Sequence, residues 1–141
     1  MVAACVYLAC REMGTPRTIV EISKHMLESR KSIAKSYRIL FRNLKISVTM
    51  QDPIQCVVKI ANNLEMTENS KREAIRIFEI LKERELIAGK KPNAVAAAVV
   101  YMAGIKTRAN FSQQKISLAS GMTGVTIRNR YREYGKYVSL D

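Results

Sequence analysis

The sequence is poor in the residues that build metal sites and disulfide frameworks. Its 141 residues include three cysteines, Cys5, Cys10 and Cys56, and a single histidine, His25. The cysteines form no CxxC pair, and a zinc site needs about four ligands at short spacings. We therefore predict no metal site and no cofactor. The cysteines are interpreted as free, buried thiols of a protein in a reducing compartment.

Long apolar segments are also missing. No apolar run approaches the ~20 residues that a membrane-spanning helix needs. Residues 1–10 are apolar, but they lack a basic stretch at their start and a convincing cleavage site. We interpret them as a buried helix rather than a signal peptide, and we expect no membrane partner.

Enzyme motifs are likewise absent. The sequence has no Cys/His pair at a plausible spacing and no glycine loop that could cradle a phosphate. Five of the 12 acidic residues gather on one predicted helix, 67–87, and are interpreted as solvated charge; they are Glu68, Glu73, Glu79, Glu83 and Glu85. We predict that the protein is not an enzyme.

Negative charge is scarce. The chain carries 12 acidic residues against 24 basic ones, for a net charge of +12. The excess lies in two blocks, because residues 1–48 carry a net +6, residues 49–89 a net −1 and residues 90–141 a net +7. Such an excess favours a polyanionic partner such as nucleic acid, against the alternative of a soluble basic protein without one. Two separate blocks indicate two contact surfaces.

The chain contains an internal repeat with an offset of 94 residues, which aligns residues 3–9 with 97–103. At the same offset Ile22 aligns with Ile116, Ile33 with Ile127, and the pair Tyr37-Arg38 with Tyr131-Arg132. Ten positions between residues 3 and 40 are identical in the two copies. Because the matches span three separate elements, we infer one supersecondary unit used twice.

Every element of this repeat has the pattern of a helix, and no segment alternates apolar and polar residues for long. The sequence predicts an all-α fold with helices at about 1–11, 18–26, 30–46, 52–64, 67–87, 93–104, 112–119 and 123–138. We predict a partial first repeat over 1–48, with three helices, and a complete second repeat over 49–141, with five. Two helices equivalent to 52–87 would precede Met1, so we expect the chain to be a fragment.

The end of the second repeat has the spacing of a helix-turn-helix, with a short helix at 112–119, a turn at Gly121-Met122 and a longer helix at 123–138. The last helix divides by face. Its predicted buried stripe is Ile127, Tyr131, Tyr134 and Val138, and its predicted outer face is Val125, Arg128, Asn129, Arg132 and Lys136.

The outer face suits the major groove of DNA. Arg128 can bond guanine bidentately, Asn129 can pair with adenine, and Val125 can contact a thymine methyl group. Predicted contacts to the DNA backbone are Lys115, Thr126, Arg132 and Lys136. The alternative is a solvated basic face on a helix-turn-helix that serves only for packing.

The first repeat differs at the equivalent positions. Its last helix carries Lys31 where the second copy has Val125, and Ala34 where the second copy has Arg128. Lys31, Lys35 and Arg38 share one face at spacings of i, i+4 and i+7. We interpret this surface as a contact to phosphates or to an acidic protein, with a solubilising face as the alternative.

Three segments, AACVYLACREMGTPRT, GKKPNAVAAAVVYMAG and SGMTGVTIRNRYREY, resemble the core of transcription initiation factor IIB, and most closely its archaeal form, transcription factor B. The resemblance covers essentially the whole chain. It implies cyclin-like five-helix repeats, binding to TATA-binding protein on promoter DNA, and recruitment of RNA polymerase. It also implies a location at the archaeal nucleoid in the cytoplasm, or in the nucleus of a eukaryote.

The resemblance assigns roles to individual positions. In the family, the last helix reads a purine-rich element upstream of the TATA box, and the base contacts fall on Val125 and Arg128. The positions that the family uses against an acidic loop of TATA-binding protein and nearby DNA are matched by Arg17, Arg30 and Lys31. From the face pattern of its last helix, and not from the resemblance, we place the DNA-backbone contacts of the first repeat at Lys35 and Arg38. The family's N-terminal zinc ribbon, its linker and the first two helices of repeat one have no counterpart in this sequence.

Two other functions are compatible with the fold class. A cyclin-like adaptor would bind a protein partner and no specific DNA, but it would not need Arg128, Asn129 and Arg132 in one row. A dimeric helix-turn-helix repressor would predict palindromic sites, but here the pseudo-symmetry already lies within the chain.

A partial first repeat predicts an exposed apolar surface. Without two covering helices, Val2, Val6 and Leu8 are expected to be partly exposed, and an apolar patch of this kind usually finds a partner. We predict that this half of the chain self-associates or is loosely ordered. Light scattering checks the first outcome and hydrogen exchange the second. A monomer with strongly protected amides over residues 1–12 would contradict the prediction.

Overall fold

The computed structural model describes residues 1–48 and 50–140; Thr49 and Asp141 lie outside the described residues. These residues form eight helices and no strand, so the prediction of an all-α fold is confirmed. In chain order the helices are α1 Val2–Glu12, α2 Ile19–Met26, α3 Arg30–Leu44, α4 Pro53–Asn63, α5 Glu68–Glu83, α6 Pro92–Lys106, α7 Gln113–Ser120 and α8 Gly124–Tyr134. None of those helices is long and apolar enough to span a bilayer.

Polar side chains set where most of these helices begin. A side-chain oxygen of the residue before the helix accepts a hydrogen bond from a backbone N–H two or three residues later, which satisfies a donor that has no partner within the helix. At α2, Thr18 and Glu21 form the predicted capping box. The other residues that cap in this way are Ser29, Asp52, Thr67, Ser112 and Thr123.

Helix α5 ends four residues earlier than predicted. The sequence places its end at Ala88-Gly89, but the helix stops at Glu83 because Glu85 adopts a left-handed conformation with φ 57°. The N–H of Leu86 then bonds to the carbonyl of Leu81 across 3.0 Å, as in a Schellman-type helix end. A glutamate in this conformation has no signal in the sequence, where glycine is expected.

The chain divides into two compact units, Met1–Gln51 and Asp52–Asp141. In the second unit α6 is the central helix, and α4, α5, α7 and α8 all pack against it. Its interior residues are small, with Ala96, Ala97, Ala98, Val99 and Val100 all fully buried. A helix that is apolar on every side is stable only when it is covered on every side, and the four surrounding helices provide that cover.

In the first unit α1, α2 and α3 pack against one another around Ala3, Ala4, Ile22 and Ile33. The expected exposure of α1 is confirmed for Val2, at 68%, and for Val6, at 42%. It is wrong for Leu8, which is only 5% exposed. Leu8 lies one helical turn after Ala4 and therefore shares the inner face of α1.

The two units repeat the same local geometry at the offset of 94 residues. Thr18 and Ser112 cap equivalent helices, as do Ser29 and Thr123. The turn before the third helix contains a left-handed residue in each unit, Leu27 in the first and Gly121 in the second. These shared features lie in three consecutive helices of each unit, α1 to α3 in the first and α6 to α8 in the second.

The unequal cover of α1 and α6 gives a test. Ala103 is fully buried in α6, whereas its equivalent in α1, Ala9, is exposed. We expect Ala103→Leu to lower the free energy of unfolding by about 1–3 kcal/mol, because extra methylene groups strain a filled core. The matched variant Ala9→Leu should change it by less than about 0.5 kcal/mol. Urea unfolding of both variants checks this, and equal losses would contradict the assignment of α6 as the covered helix.

Candidate nucleic-acid interface

The turn between α7 and α8 is fixed by short-range hydrogen bonds. Gly121 takes a left-handed conformation, with φ 70°, and its N–H bonds to the carbonyl of Ser117. The Ser117 hydroxyl donates to the carbonyl of Met122 across 2.5 Å, and the N–H of Met122 donates to the Ser120 hydroxyl across 3.2 Å. These bonds set the angle at which α8 leaves the turn, as a helix-turn-helix requires.

The inner face of α8 is the predicted one. Ile127 and Tyr134 are fully buried, Tyr131 is partly buried, and Val138 is 5% exposed beyond the helix end. The ring of Tyr131 meets the ring of Tyr101 on α6 edge to face, with the centroids 5.2 Å apart. Helix α8 is therefore anchored along its length to the central helix.

The outer face of α8 is exposed and basic. We call Val125, Arg128, Asn129 and Arg132 the reading face; all four are exposed, and Val125 is exposed at 56%. An apolar side chain this exposed in the first turn of a helix contributes little to folding but can contact a thymine methyl group. The structure thus brings together the predicted base-reading residues on one surface.

Lys136 lies beyond the end of α8. The sequence predicts a helix through Val138, but α8 ends at Tyr134, with Gly135 as its C-cap. The chain turns there, since both Tyr137 and Val138 donate their N–H groups to the carbonyl of Tyr134. Val138 is still buried, which is why a helical stripe extended to it fits the sequence. Lys136 is exposed in this turn.

The two other predicted backbone contacts lie in the first turns of α8 and α7. Thr126 is partly buried, and its hydroxyl is 3.0 Å from that of Thr123, so it is already engaged at the start of α8. Lys115 is exposed on α7, where its side chain lines a groove of about 460 Å³ beside Phe111 and Leu118.

Arg128 has partners that the sequence pattern did not reveal. Its Nη1 donates to Gln113 Oε1 across 2.9 Å, and Gln113 Nε2 donates to the Tyr101 hydroxyl across 3.2 Å. Gly124 lies next to this bond, since a Cβ built there would be in ordinary van der Waals contact with Arg128 Nη1, at 3.4 Å. Gln113 is the first residue of α7. It can bond to both Arg128 and Tyr101 because α6, α7 and α8 lie close together in the fold.

Ionisable groups at the end of α8 tie it to the rest of its unit. Glu133 bonds to Arg130 and pairs with Lys90, which lies 3.4 Å away before α6. Burial acts to raise the pKa of Glu133, but the hydrogen bonds and charges of Arg130 and Lys90 outweigh it and hold the pKa below the ordinary 4.5. Burial raises the pKa of Tyr134 to about 12.

The first unit presents a different surface. Arg30, Lys31, Lys35 and Arg38 line a groove of about 610 Å³ whose floor is formed by Ile19, Val20 and Ala34. This groove lies between α2 and α3, at the positions equivalent to the reading face. Arg17 is not part of it. It lines a separate groove of about 290 Å³ with Glu21 and His25, so the three residues predicted to touch TATA-binding protein are divided between two grooves.

The thiols are only partly as expected. Cys56 is buried, but Cys10 is partly exposed and Cys5 is exposed, because α1 has less cover than a central helix usually has. None of the three forms a disulfide. Within residues 1–48 and 50–140, no group of three or more His, Cys, Asp or Glu side chains could hold a metal ion.

Helical units with a basic, exposed helix-turn-helix define the class of all-helical repeat proteins, and sequence comparison gives the family. Residues 1–43 and 46–137 match the transcription factor TFIIB repeat. The chain belongs to this family, which consists of transcription factors rather than enzymes.

Similar proteins are archaeal and are named transcription initiation factor IIB. The chain is 40% identical to the protein of Caldivirga maquilingensis over 140 residues, which is 99% of this chain and 42% of that protein. It is 40% identical to the protein of Sulfurisphaera tokodaii over 94% of this chain and 43% of that one. With the protein of Methanocaldococcus jannaschii it shares 37% identity over its whole length, which covers 21% of that protein. The chain therefore spans less than half of the relatives it matches.

The ion pairs of Glu133 give a prediction for pH. Because the pKa of Glu133 is lowered on folding, its contribution to stability is present above pH 4.5 and is lost as the pH falls through the lowered value. We expect Glu133→Gln to lower the free energy of unfolding by up to about 1 kcal/mol at pH 7, the range for partly exposed pairs. At pH 3 the variant and the parent should be nearly equal.

Urea unfolding at the two pH values measures this difference, with Glu79→Gln, an exposed position on α5, as the control. A loss of the same size at pH 7 and pH 3 would show that Glu133 acts through packing and not through its charge.

Proposed function

We propose that this chain is the DNA-binding part of a general transcription initiation factor and that α8 reads bases in the major groove. The observation that carries the proposal is the reading face. Its four side chains are exposed on one side of a helix whose other side is anchored to α6. A rigid helix that presents arginine, asparagine and an apolar side chain together has the chemistry for direct base readout.

The assignment of bases follows from hydrogen-bonding capacity. Arg128 would donate to the O6 and N7 acceptors of a guanine, Asn129 would pair with an adenine, and Val125 would contact a thymine methyl group. Arg132, one turn further along, and Lys115 on α7 would contact phosphates. The target would be a purine-rich element beside a TATA box, as the family resemblance implies.

The first unit would contribute affinity rather than base readout. The groove of Arg30, Lys31, Lys35 and Arg38 concentrates four cations around an apolar floor. Such a surface suits phosphates and an acidic protein such as the loop of TATA-binding protein, because lysine is a point charge that does not distinguish bases. Arg17 would make a separate contact from its own groove. The complex on promoter DNA would then recruit RNA polymerase, at the nucleoid of an archaeal cell.

Binding to promoter DNA tests the base readout. The probes are two duplexes with the same TATA box, with and without the upstream purine-rich element, each with TATA-binding protein present. We expect Arg128→Ala to weaken binding to the element by about 1–3 kcal/mol and to reduce the preference for it. Arg128→Lys keeps the charge but loses the bidentate geometry, so it should lose the preference and retain the salt dependence.

Lys35→Ala is the matched control in the first unit. It should weaken binding to both duplexes equally and reduce the slope of log K against log salt by about one unit. If Arg128→Ala kept the full preference for the element, α8 would not read bases, and the adaptor function without specific DNA binding would be favoured instead.

A further inference from the structure

We propose that Gln113 is a specificity-determining residue that positions Arg128 for guanine. The inference rests on the proposed function of α8 and concerns a residue outside the reading face. Gln113 touches Arg128 directly, and it is itself held by Tyr101 on the central helix. The link connects the central helix of the unit to the side chain that would meet DNA.

The chemistry of the link determines the orientation of the Gln113 amide. A guanidinium has only donors, so the amide oxygen must face Arg128 and the NH₂ group must face the Tyr101 hydroxyl. The two hydrogen bonds, from Arg128 Nη1 to Oε1 at 2.9 Å and from Nε2 to the Tyr101 hydroxyl at 3.2 Å, have this arrangement. Arg128 uses one of its five N–H donors for Gln113 and keeps the others for a base. A fixed arginine loses less side-chain freedom on binding than a free one, which favours the correct base geometry over alternatives.

The internal repeat provides a comparison within the same chain. Both units have the tyrosine pair, with Tyr7 and Tyr37 in the first at 4.9 Å between ring centroids and Tyr101 and Tyr131 in the second at 5.2 Å. The first unit lacks the outer part of the link. At the positions equivalent to Gln113 and Arg128 it has Ile19 and Ala34. The fold is built without the glutamine–arginine bond, so the bond is an addition specific to the second unit.

The energetics of folding support the same conclusion. The Arg128–Gln113 bond is exposed to solvent. An exposed polar contact contributes little to folding, so stability does not account for this arrangement.

The test measures discrimination between bases. The probes are TATA-box duplexes with the upstream element containing either guanine or 7-deazaguanine, which lacks the N7 acceptor, with TATA-binding protein present. The measured quantity is the affinity for the guanine duplex divided by the affinity for the 7-deazaguanine duplex. We expect Gln113→Ala to lower this ratio about three- to tenfold. Gln113→Ile, which introduces the residue of the first unit, should lower it by the same amount. Tyr101→Phe keeps the ring and should lower it about twofold. The adjacent exposed Gln114→Ala is the control and should leave it unchanged.

Three further readouts distinguish positioning from other roles. The salt slope should stay within about 0.3 units of the parent value, because no phosphate contact is lost. The Tm should change by less than about 3 °C, since the link is near the surface. In the free protein, NMR relaxation of the Arg128 side-chain Nε–H should show greater mobility in Gln113→Ala, while that of Arg132 should not change.

The double variant Gln113→Ala/Arg128→Ala completes a double-mutant cycle, which tests whether Gln113 acts through Arg128. If Gln113 acts through Arg128, the double variant discriminates no worse than Arg128→Ala alone. A further loss would mean that Gln113 reads the base itself, which overturns the positioning role. If Arg128→Ala lowers discrimination and neither Gln113 variant does, the inference fails and the proposed function stands. If Arg128→Ala has no effect, the proposed base readout fails as well.

Discussion

The packing of four helices around α6 is the constraint on which the second unit depends. The buried residues of α6 are mostly alanine and valine, which allows close approach from every side. Helix α8 is positioned by this packing, because Ile127 and Tyr134 are buried on its inner face and Tyr131 meets Tyr101. Because the inner face of α8 is buried against α6, the side chains on the opposite face of α8 are exposed to solvent on one surface. A surface suited to DNA thus follows from an apolar core.

The two units show how one three-helix geometry can support two different surfaces. Helix starts, the left-handed turn residue and the tyrosine pair are shared, while the outer positions differ. The first unit has Lys31 and Ala34 where the second has Val125 and Arg128. Lysines around an apolar floor suit charge-based contact, and a held arginine beside an apolar side chain suits base readout. These two differences lie outside the buried core of each unit.

Much of the fold follows from the sequence because its signals are local. Cap residues such as Thr18 and Ser112 satisfy helix N–H groups within a few residues, and the stripe Ile127, Tyr131, Tyr134 repeats at helical spacing. The helix ends are harder to predict, since the left-handed Glu85 has no residue-type signal and the buried Val138 extends the helical stripe past Gly135, the C-cap of α8. The predicted helix therefore includes Lys136, which lies beyond the end of α8.

The sequence by itself determined the helical class, the repeat and its offset, the helix-turn-helix and the family, since each depends on residue type and spacing along the chain. The tertiary structure decided which side chains meet across helices. Gln113 contacts Arg128, fifteen residues away, and Tyr101, twelve residues away, only because α6, α7 and α8 converge. The packing of helices also decides that Arg17 lines one groove and that Arg30 and Lys31 line another. Such contacts are non-local, and no periodicity in the sequence encodes them.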